Sequence, residues 1–341
     1  MVPVFINTIN NIYGVYMDLR EAKAILNESG YKLVDKENHK LLEAQQYLFS
    51  KGYILEDTEG EAEPEETKTN DNELTDEEEK QFQAIVNKVK ARGTVGNAIE
   101  VLNKMNKEQR ALFRKAYLHS EETEHIDYDE TYVPVTELFP TQNEIDFDKS
   151  VAVPLKMKFP DTFKKMVLGE SVSLGGPVVV SLIGSKYYII DGHHRWSQVY
   201  MMNPKCKIHA LVFKGAAEGN KNVIDVLKDW QGAVMAAMGK IVQKPVKGRN
   251  IIGMSRQGLK ALTKHVLSDY PKTVKAFGQL NPKLKDIEAI SENIAAHGEQ
   301  MNANNKPIKG APERMDMPQT AEKGPGNVTG IKVAKKGMVD L

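Results

Sequence analysis

The stretch Tyr187-Tyr-Ile-Ile-Asp-Gly-His-His-Arg-Trp196 decides the fold of this chain, because it leads from an apolar run through a polar turn into a helical pattern. The apolar run predicts a buried strand that ends at Asp191, and Gly192 permits a tight turn after it. A helix is then expected from His193 onward, and Asn203-Pro204 would end it. The pattern therefore places two histidines and one arginine in the first turn of a helix.

Strand and helix signals surround this stretch. Residues 178–180 and 186–190 predict two strands joined by a hairpin at Gly184-Ser185, and residues 207–213 predict another strand. Helices are predicted at residues 159–167 and 222–238. The expected fold class is α+β, with a small mixed sheet and helices, flanked by helical N-terminal and C-terminal regions.

The charges in the first turn of the helix that begins at His193 indicate a bound anion. A helix N-terminus carries unpaired N–H groups and the positive end of the dipole, so Arg195 there needs a negative partner. Phosphate is the natural candidate, and the imidazoles of His193 and His194 can donate hydrogen bonds to it or transfer a proton. The alternative is a polar helix cap in which Asp191 holds the turn and both histidines are simply exposed.

A zinc site at the same histidines is disfavoured. Adjacent helical residues point about 100° apart, so His193 and His194 cannot face one ion together. No cysteine or third histidine lies nearby in the sequence, and His209 on the next predicted strand is the one residue that could converge on them. The sequence therefore predicts an anion site without a metal ligand set.

Four motifs follow one another within residues 133–213. They are Val133-Pro-Val-Thr-Glu-Leu-Phe-Pro-Thr-Gln142, the helix at 159–167, Gly175-Gly-Pro-Val-Val-Val180 and Asp191-Gly-His-His-Arg195. In this order they resemble the ParB/sulfiredoxin superfamily, in which the last motif occupies the place of the phosphate-binding signature. The resemblance implies a ParB/sulfiredoxin-like small mixed sheet, and it says little about either flank.

The signature differs from those of two subfamilies. Sulfiredoxins have Gly-Cys-His-Arg, and His193 stands where their attacking cysteine would be, which argues against sulfiredoxin chemistry. Chromosome-partitioning ParB proteins have Gly-Glu-Arg-Arg and bind CTP, whereas this chain has His193 and His194 at the two middle positions. The signature is more similar to branches that include a free serine kinase and phage- or plasmid-borne ParB-like proteins.

The resemblance implies an activity and a set of site residues. The activity is nucleotide binding with NTP hydrolysis or phosphoryl transfer, the nucleotide being ATP, ADP or CTP. Any of the carboxylates of Glu144, Asp146 and Asp148 could bind Mg²⁺ through oxygen. Glu144, in the loop where the kinase branch has its base, would be catalytic together with His193 and Asp191. The nucleotide would be bound by Gly175, Gly176, Gly192, His193, His194, Arg195 and Lys149.

The residues themselves leave alternatives open at these positions. Glu144 is equally well a surface carboxylate, with Asp146 and Asp148 as neighbouring candidates for the same role. Gly175 and Gly176 would let the backbone approach a nucleotide, but they also suit a plain turn before a strand.

Two other functions compete with nucleotide chemistry. A ParB-like DNA-binding protein or nuclease would contact the duplex through the basic helices at 82–119 and the helices at 255–297. A non-catalytic phage structural or interaction protein would dock other proteins through its N-terminal module and C-terminal tail.

The composition of the chain limits which partners and which cellular location are expected. The 341 residues carry 46 Lys+Arg and 46 Asp+Glu, so net charge gives no argument for nucleic acid. An apolar share of 41% fits a globular protein, and no apolar run is long enough for a membrane helix, so no membrane partner is expected. The single cysteine, Cys206, suits a reducing compartment, and we expect a cytoplasmic protein, in the bacterial host if phage-encoded.

The domain organisation follows from local composition. The segments expected are a small helical module at 1–55, an acidic flexible linker at 56–80, a helical region at 81–120, the ParB/sulfiredoxin-like domain at 131–215, a C-terminal helical region at 220–300 and a disordered tail at 301–341. In the first module, helices are predicted at 18–26 and 40–50. After the linker, Thr75 and Glu78 predict a capping box that opens a helix.

Overall fold

The computed structural model describes residues 74–118, 128–214, 222–241, 243, 245 and 248–319, together with five short strands. These are Val4–Thr8 (β1), Asn11–Tyr13 (β2), Tyr53–Leu55 (β3), Thr123–His125 (β4) and Lys332–Ala334 (β11). The chain divides into two compact units, Met1–Thr69 and Asn70–Leu341.

In the first unit, the described residues form an antiparallel sheet with the order β2-β1-β3. Its strands are rich in β-branched and aromatic residues, which favour extended backbone. The helices predicted at 18–26 and 40–50, and the linker up to residue 73, lie outside the described residues.

The second unit begins with three helices, Asp76–Lys90 (α1), Val95–Asn103 (α2) and Lys107–Leu118 (α3). The predicted capping box is confirmed: Glu78 N donates to Thr75 Oγ1 at 3.3 Å, and Thr75 N donates to Glu78 Oε2 at 2.8 Å. The acidic residues 76–79, which were expected in the linker, instead form the first turn of α1. Carboxylates are stabilised there by the unpaired N–H groups and the helix dipole.

A mixed sheet of six strands forms the centre of this unit. The strands are Tyr128–Pro134 (β5), Leu138–Pro140 (β6), Ser171–Val172 (β7), Val178–Ile183 (β8), Lys186–Asp191 (β9) and Lys207–Phe213 (β10). Their order is β5-β10-β8-β9-β6, and β7 pairs with the start of β10. The predicted hairpin is confirmed as antiparallel β8–β9, with Gly184 at φ 62° in its turn. β10 runs parallel to β8, and β6 runs parallel to β9.

Helices cover the sheet. A π-helical turn, Asp148–Ala152, continues into Val153–Leu155 (α4), and Pro160–Leu168 (α5) and His193–Met202 (α6) lie near the predicted site. The remaining helices of the described residues are Val223–Met238 (α7), Arg256–Ser268 (α8), Pro271–Leu280 (α9) and Ile287–Asn304 (α10). The helix predicted from His193 is confirmed, and the fold is α+β.

Side chains alternate between two hydrophobic clusters on opposite faces of the sheet. Val178 and Val180 belong to one cluster and Val179 to the other, as expected for a strand with period two. The first cluster includes residues of α5, α6, α8 and α10, and the second includes residues of α1, α2, α3 and α7. The central sheet is therefore buried on both faces, which fixes the ends of β9 and α6 in position.

Residues 305–319 continue the folded structure after α10. Asn305 is 1% exposed and Met317 is also 1% exposed. The sequence predicts a disordered tail from residue 301, because the segment has no hydrophobic periodicity, whereas the structure holds it by side-chain to backbone hydrogen bonds. Apart from β11, the residues after 319 lie outside the described part.

None of the helices in the described ranges combines the length and the hydropathy that a membrane span requires.

Candidate functional site

The turn between β9 and α6 depends on Gly192. This residue caps the helix with φ 98°, and its N–H donates to Asp191 Oδ1 at 2.7 Å. A Cβ at this position would lie 3.0 Å from Nε and from Nη2 of Arg195, and 3.3 Å from Cα of Val178. Glycine is therefore required both by the left-handed backbone and by the arginine packed against it.

His193 holds a distant loop in place. It is 4% exposed, and its Nε2 accepts a hydrogen bond from the backbone N–H of Thr141 at 3.0 Å. The hydroxyl of Thr141 in turn donates to the carbonyl of Ile189. Burial, together with the charges of His194 and Arg314, lowers the pKa of His193 well below its ordinary value. The imidazole is therefore neutral at neutral pH, with its ring proton on Nδ1.

His194 acts in the same way on the other end of that loop. Its Nε2 accepts from the backbone N–H of Asp146 at 3.1 Å. Burial lowers the pKa of His194 to about 3; the charges of Arg314 and Lys149 add to the effect and that of Asp146 opposes it. The two histidines thus attach residues 141–149, which we call the site loop, to the start of α6. The sequence predicts them as phosphate ligands, and the structure shows them positioning the backbone.

Arg195 lies against the glycines that the sequence singles out. Its Nη1 lies 3.6 Å from where a Cβ of Gly176 would be, and Gly175 and Gly176 both have positive φ. Its Nε is buried and has no hydrogen-bond partner among the described residues. A buried donor on a charged group is costly when it is unpaired.

A polar pocket of about 200 Å³ opens at the turn. Of the described residues, three cationic side chains line it, those of Lys149, Arg195 and Arg314. Asp191 is the carboxylate among the lining residues, and Gln142, Gly192, both histidines and Gln319 contribute further walls. Three cationic residues face one carboxylate, so the positive charge of this lining exceeds its negative charge even with both histidines neutral, which favours an anionic ligand.

An apolar pocket of about 300 Å³ adjoins the polar one. Its walls come from residues 153–166 and 173–175, and Arg195 lines both pockets. Phe159 at its rim is 74% exposed, and Met157 has φ 49°, which is unusual for a residue with a side chain. Exposed aromatic surface and backbone strain of this kind are common at binding sites.

Glu144 contacts the C-terminal segment. Its Oε2 accepts from the backbone N–H of Arg314 at 3.1 Å, and it does not line either of these pockets. Asp146 Oδ1 accepts from the N–H groups of Asp148 at 2.7 Å and Lys149 at 3.2 Å. Asp148 lies 3.6 Å from Arg249. The role of Glu144 as a base stays a prediction, and its present contact is structural.

His209, the third histidine considered for a metal, has other partners. Its Nε2 lies 2.7 Å from Glu130 Oε1, its Nδ1 lies 3.3 Å from Ser173 Oγ, and its ring packs on Tyr132. Over the residues that the structure describes, no group of three or more His, Cys, Asp or Glu side chains is arranged to hold a metal ion.

Two basic residues of α8, a helix that a DNA-binding protein would use to contact the duplex, form ion pairs within the chain. Arg256 pairs with Glu292 at 2.5 Å and Glu299 at 2.8 Å. Lys260 pairs with Glu288 at 2.5 Å and with Glu292 at 2.6 Å. These pairs attach α8 to α10.

Three contributions to the site are not visible in the sequence. Arg314 and Gln319 come from the segment expected to be disordered, and no motif in the sequence indicates the apolar pocket. Arg314 lies 119 positions after Arg195, and no motif marks it. Neither known protein families nor curated proteins give a match to this sequence, so the geometry of the two pockets is the basis for the functional proposal.

Proposed function

We propose that this chain binds a nucleoside phosphate, with the phosphates in the polar pocket and the base in the apolar pocket. The observation that carries the proposal is the position of Arg195, which lines both pockets. A nucleotide joins a planar, largely apolar ring to an anionic chain, which matches two adjacent pockets of these characters.

The polar pocket offers the contacts that phosphate binding requires. The N–H groups at the start of α6 and the positive end of its dipole favour an anion there. Arg195 and Lys149 add charge, and arginine binds phosphate oxygens in a bidentate manner. The positive φ of Gly192 belongs to a turn that keeps the guanidinium close to these N–H groups.

The apolar pocket offers a surface for a base. Its volume of about 300 Å³ lies at the lower end of ligand sites, which is sufficient for part of a ligand. The exposed ring of Phe159 can stack on a heterocycle, and Met157 and Met166 supply flexible, polarisable walls. ATP, ADP and CTP are the ligands that the resemblance to the ParB/sulfiredoxin superfamily favours, and a fold of that family is part of this proposal.

Hydrolysis or phosphoryl transfer extends the proposal. Asp191 is the carboxylate among the described residues that line the polar pocket. As a base it would accept the proton of the water or substrate hydroxyl whose oxygen attacks the terminal phosphorus, and the nucleoside diphosphate would leave. In the alternative role, the same carboxylate would hold Mg²⁺ together with the substrate's phosphates, and the ion would neutralise phosphate charge. Both histidines keep the site loop in register while neutral.

The test is titration calorimetry of the full chain with ATP, ADP and CTP. Arg195→Ala should weaken binding by about tenfold to a hundredfold, because it removes charged hydrogen bonds to phosphate. Arg114→Ala is the matched control, since Arg114 is exposed on α3 and lies outside both pockets. Equal affinities of the Arg195→Ala variant and the wild type, or no binding of any of these nucleotides, would contradict the proposal.

A further inference from the structure

Residues 305–319, which we call the C-terminal strap, cross the site after α10. The first anchor is the buried side chain of Asn305. Its Nδ2 donates to the carbonyls of Thr136 and Leu138 at 2.9 Å each, and its Oδ1 accepts from the hydroxyl of Tyr200 at 3.0 Å. The start of the strap is therefore fixed to the backbone that precedes the site loop.

A second anchor holds the far end of the strap. The side chain of Met317 is 1% exposed and lies in the cluster beneath α7. Gln231 of α7 donates from Nε2 to the carbonyl of Asp316 at 2.6 Å. Between the anchors, Asn143 N donates to the carbonyl of Pro312 at 3.1 Å. These bonds connect the strap to both the site loop and the helical layer, so its position over the pocket is defined.

Arg314 lies between the two anchors and lines the polar pocket. Its backbone N–H donates to Glu144 Oε2 at 3.1 Å, and its Nη1 lies 3.5 Å from the carbonyl oxygen of Pro245. Its charge contributes to the lowered pKa values of both His193 and His194. The strap thus brings a cation to a site whose other cations come from the site loop and α6.

The residues that line the two pockets also indicate in which orientation a nucleotide would bind. Arg195 lines both pockets, whereas Arg314 and Lys149 line the polar pocket and not the apolar one. A nucleotide with its base in the apolar pocket would place its first phosphate near Arg195. The phosphates farther from the base would then approach Lys149 and Arg314.

We propose that Arg314 is a specificity-determining residue, which recognises the phosphates farthest from the base and makes the site selective for nucleoside triphosphates over monophosphates. This inference rests on the proposed nucleotide site. It also assigns a function to the C-terminal strap. The strap completes the wall of the polar pocket and supplies Arg314, which distinguishes nucleotides by the number of their phosphates.

The experiment compares AMP, ADP and ATP, and in parallel CMP, CDP and CTP, by calorimetric titration of the full chain. Arg314→Ala should weaken triphosphate binding about tenfold, equal to about 1.4 kcal/mol, and change monophosphate binding less than about twofold. Arg314→Lys keeps the charge but loses the bidentate geometry, so its triphosphate affinity should lie between those of the wild type and Arg314→Ala. Lys309→Ala is the control, because it removes an exposed charge from the same strap outside the pocket and should leave every affinity unchanged.

The outcomes separate the two proposals. If Arg195→Ala weakens all nucleotides while Arg314→Ala leaves the ratio of triphosphate to monophosphate affinity unchanged, the role of Arg314 is wrong and the nucleotide site stands. An equal loss in Lys309→Ala would likewise overturn it, since the effect would then be one of general charge. Thermal unfolding of each variant identifies any loss that comes from unfolding, and a misfolded Arg314→Ala leaves Arg314→Lys to decide by the same ratio.

Discussion

The two pockets that meet at Arg195 are built in different ways. The apolar pocket is formed mainly by two segments that are close in the sequence, residues 153–166 and 173–175, with Arg195 and Gln198 from α6. The polar pocket takes its walls from the site loop, the turn 191–195 and the C-terminal strap, which are far apart in the sequence. Hydrogen bonds from side chains to backbone hold these three segments together.

This difference predicts how each pocket responds to change. A pocket held by neutral imidazoles and backbone amides should be sensitive to protonation and to backbone strain. A pocket of apolar side chains should respond to loss of contact area and little to pH. Three predictions, ordered by the size of the expected effect, test this contrast.

Acidification should destabilise the protein through the histidines that hold the site loop. The pKa of His194 is about 3 in the folded chain and near 6.5 when unfolded, so the unfolded state binds more protons between these values. The contribution to stability is therefore complete well above pH 6.5 and falls as the pH decreases through this value, by at most about 1.4 kcal/mol per pH unit for each histidine. From pH 6.5 to 5 we expect a loss of about 1.6 kcal/mol from His194 alone, measured by urea unfolding.

His194→Gln is the comparison variant, because its side-chain oxygen can accept from Asp146 N–H without titrating. Its unfolding free energy should depend less steeply on pH over the same interval. A wild-type slope equal to that of His194→Gln would show that this imidazole does not stay neutral in the folded state.

Gly192→Ala should affect both stability and binding, because the added Cβ meets Arg195 in a left-handed backbone. We expect a loss of about 1–2 kcal/mol in unfolding free energy and a roughly tenfold weaker affinity for ATP. Gly184→Ala is the matched control, since Gly184 also has positive φ but has nothing within 4 Å of its Cβ position. It should lose stability and keep its affinity; the same loss of affinity in both variants would argue against a specific role of the turn.

Phe159→Ala tests the apolar pocket. The ring is 74% exposed, so stability should change by less than about 0.5 kcal/mol, while ATP binding weakens by about 1 kcal/mol through lost stacking. Binding of inorganic tripolyphosphate, which has no base, should be unchanged in a competition titration. Leu168 is exposed on α5 outside the pocket, so Leu168→Ala should leave the affinities for ATP and tripolyphosphate unchanged. Equal losses for ATP and tripolyphosphate would place the base elsewhere.

The parts of the fold that the sequence predicts are those set by local patterns. β9, Gly192 and α6 follow from an apolar run, a permissive glycine and a helical segment that ends before Pro204. The capping box at Thr75 is local in the same sense. Each of these depends on residues within a few positions of one another, so periodicity and turn chemistry are sufficient.

The parts that the sequence does not predict depend on distant partners. The acceptor role of His193 requires the N–H of Thr141, 52 positions earlier. Asn305 reaches the carbonyls of residues 136 and 138 across more than 160 positions. No sequence pattern around a single histidine or asparagine predicts such a hydrogen bond. The C-terminal strap also lacks the hydrophobic periodicity by which folded segments are recognised in a sequence.

The order of synthesis gives the C-terminal strap a further consequence. Domains generally fold as units, and residues 305–319 belong to the same unit as the turn 191–195 and the site loop. A polypeptide released before residue 305 would contain the residues of the turn but would lack Asn305, Arg314 and Gln319. The polar pocket of such a truncated chain would therefore have no closing wall.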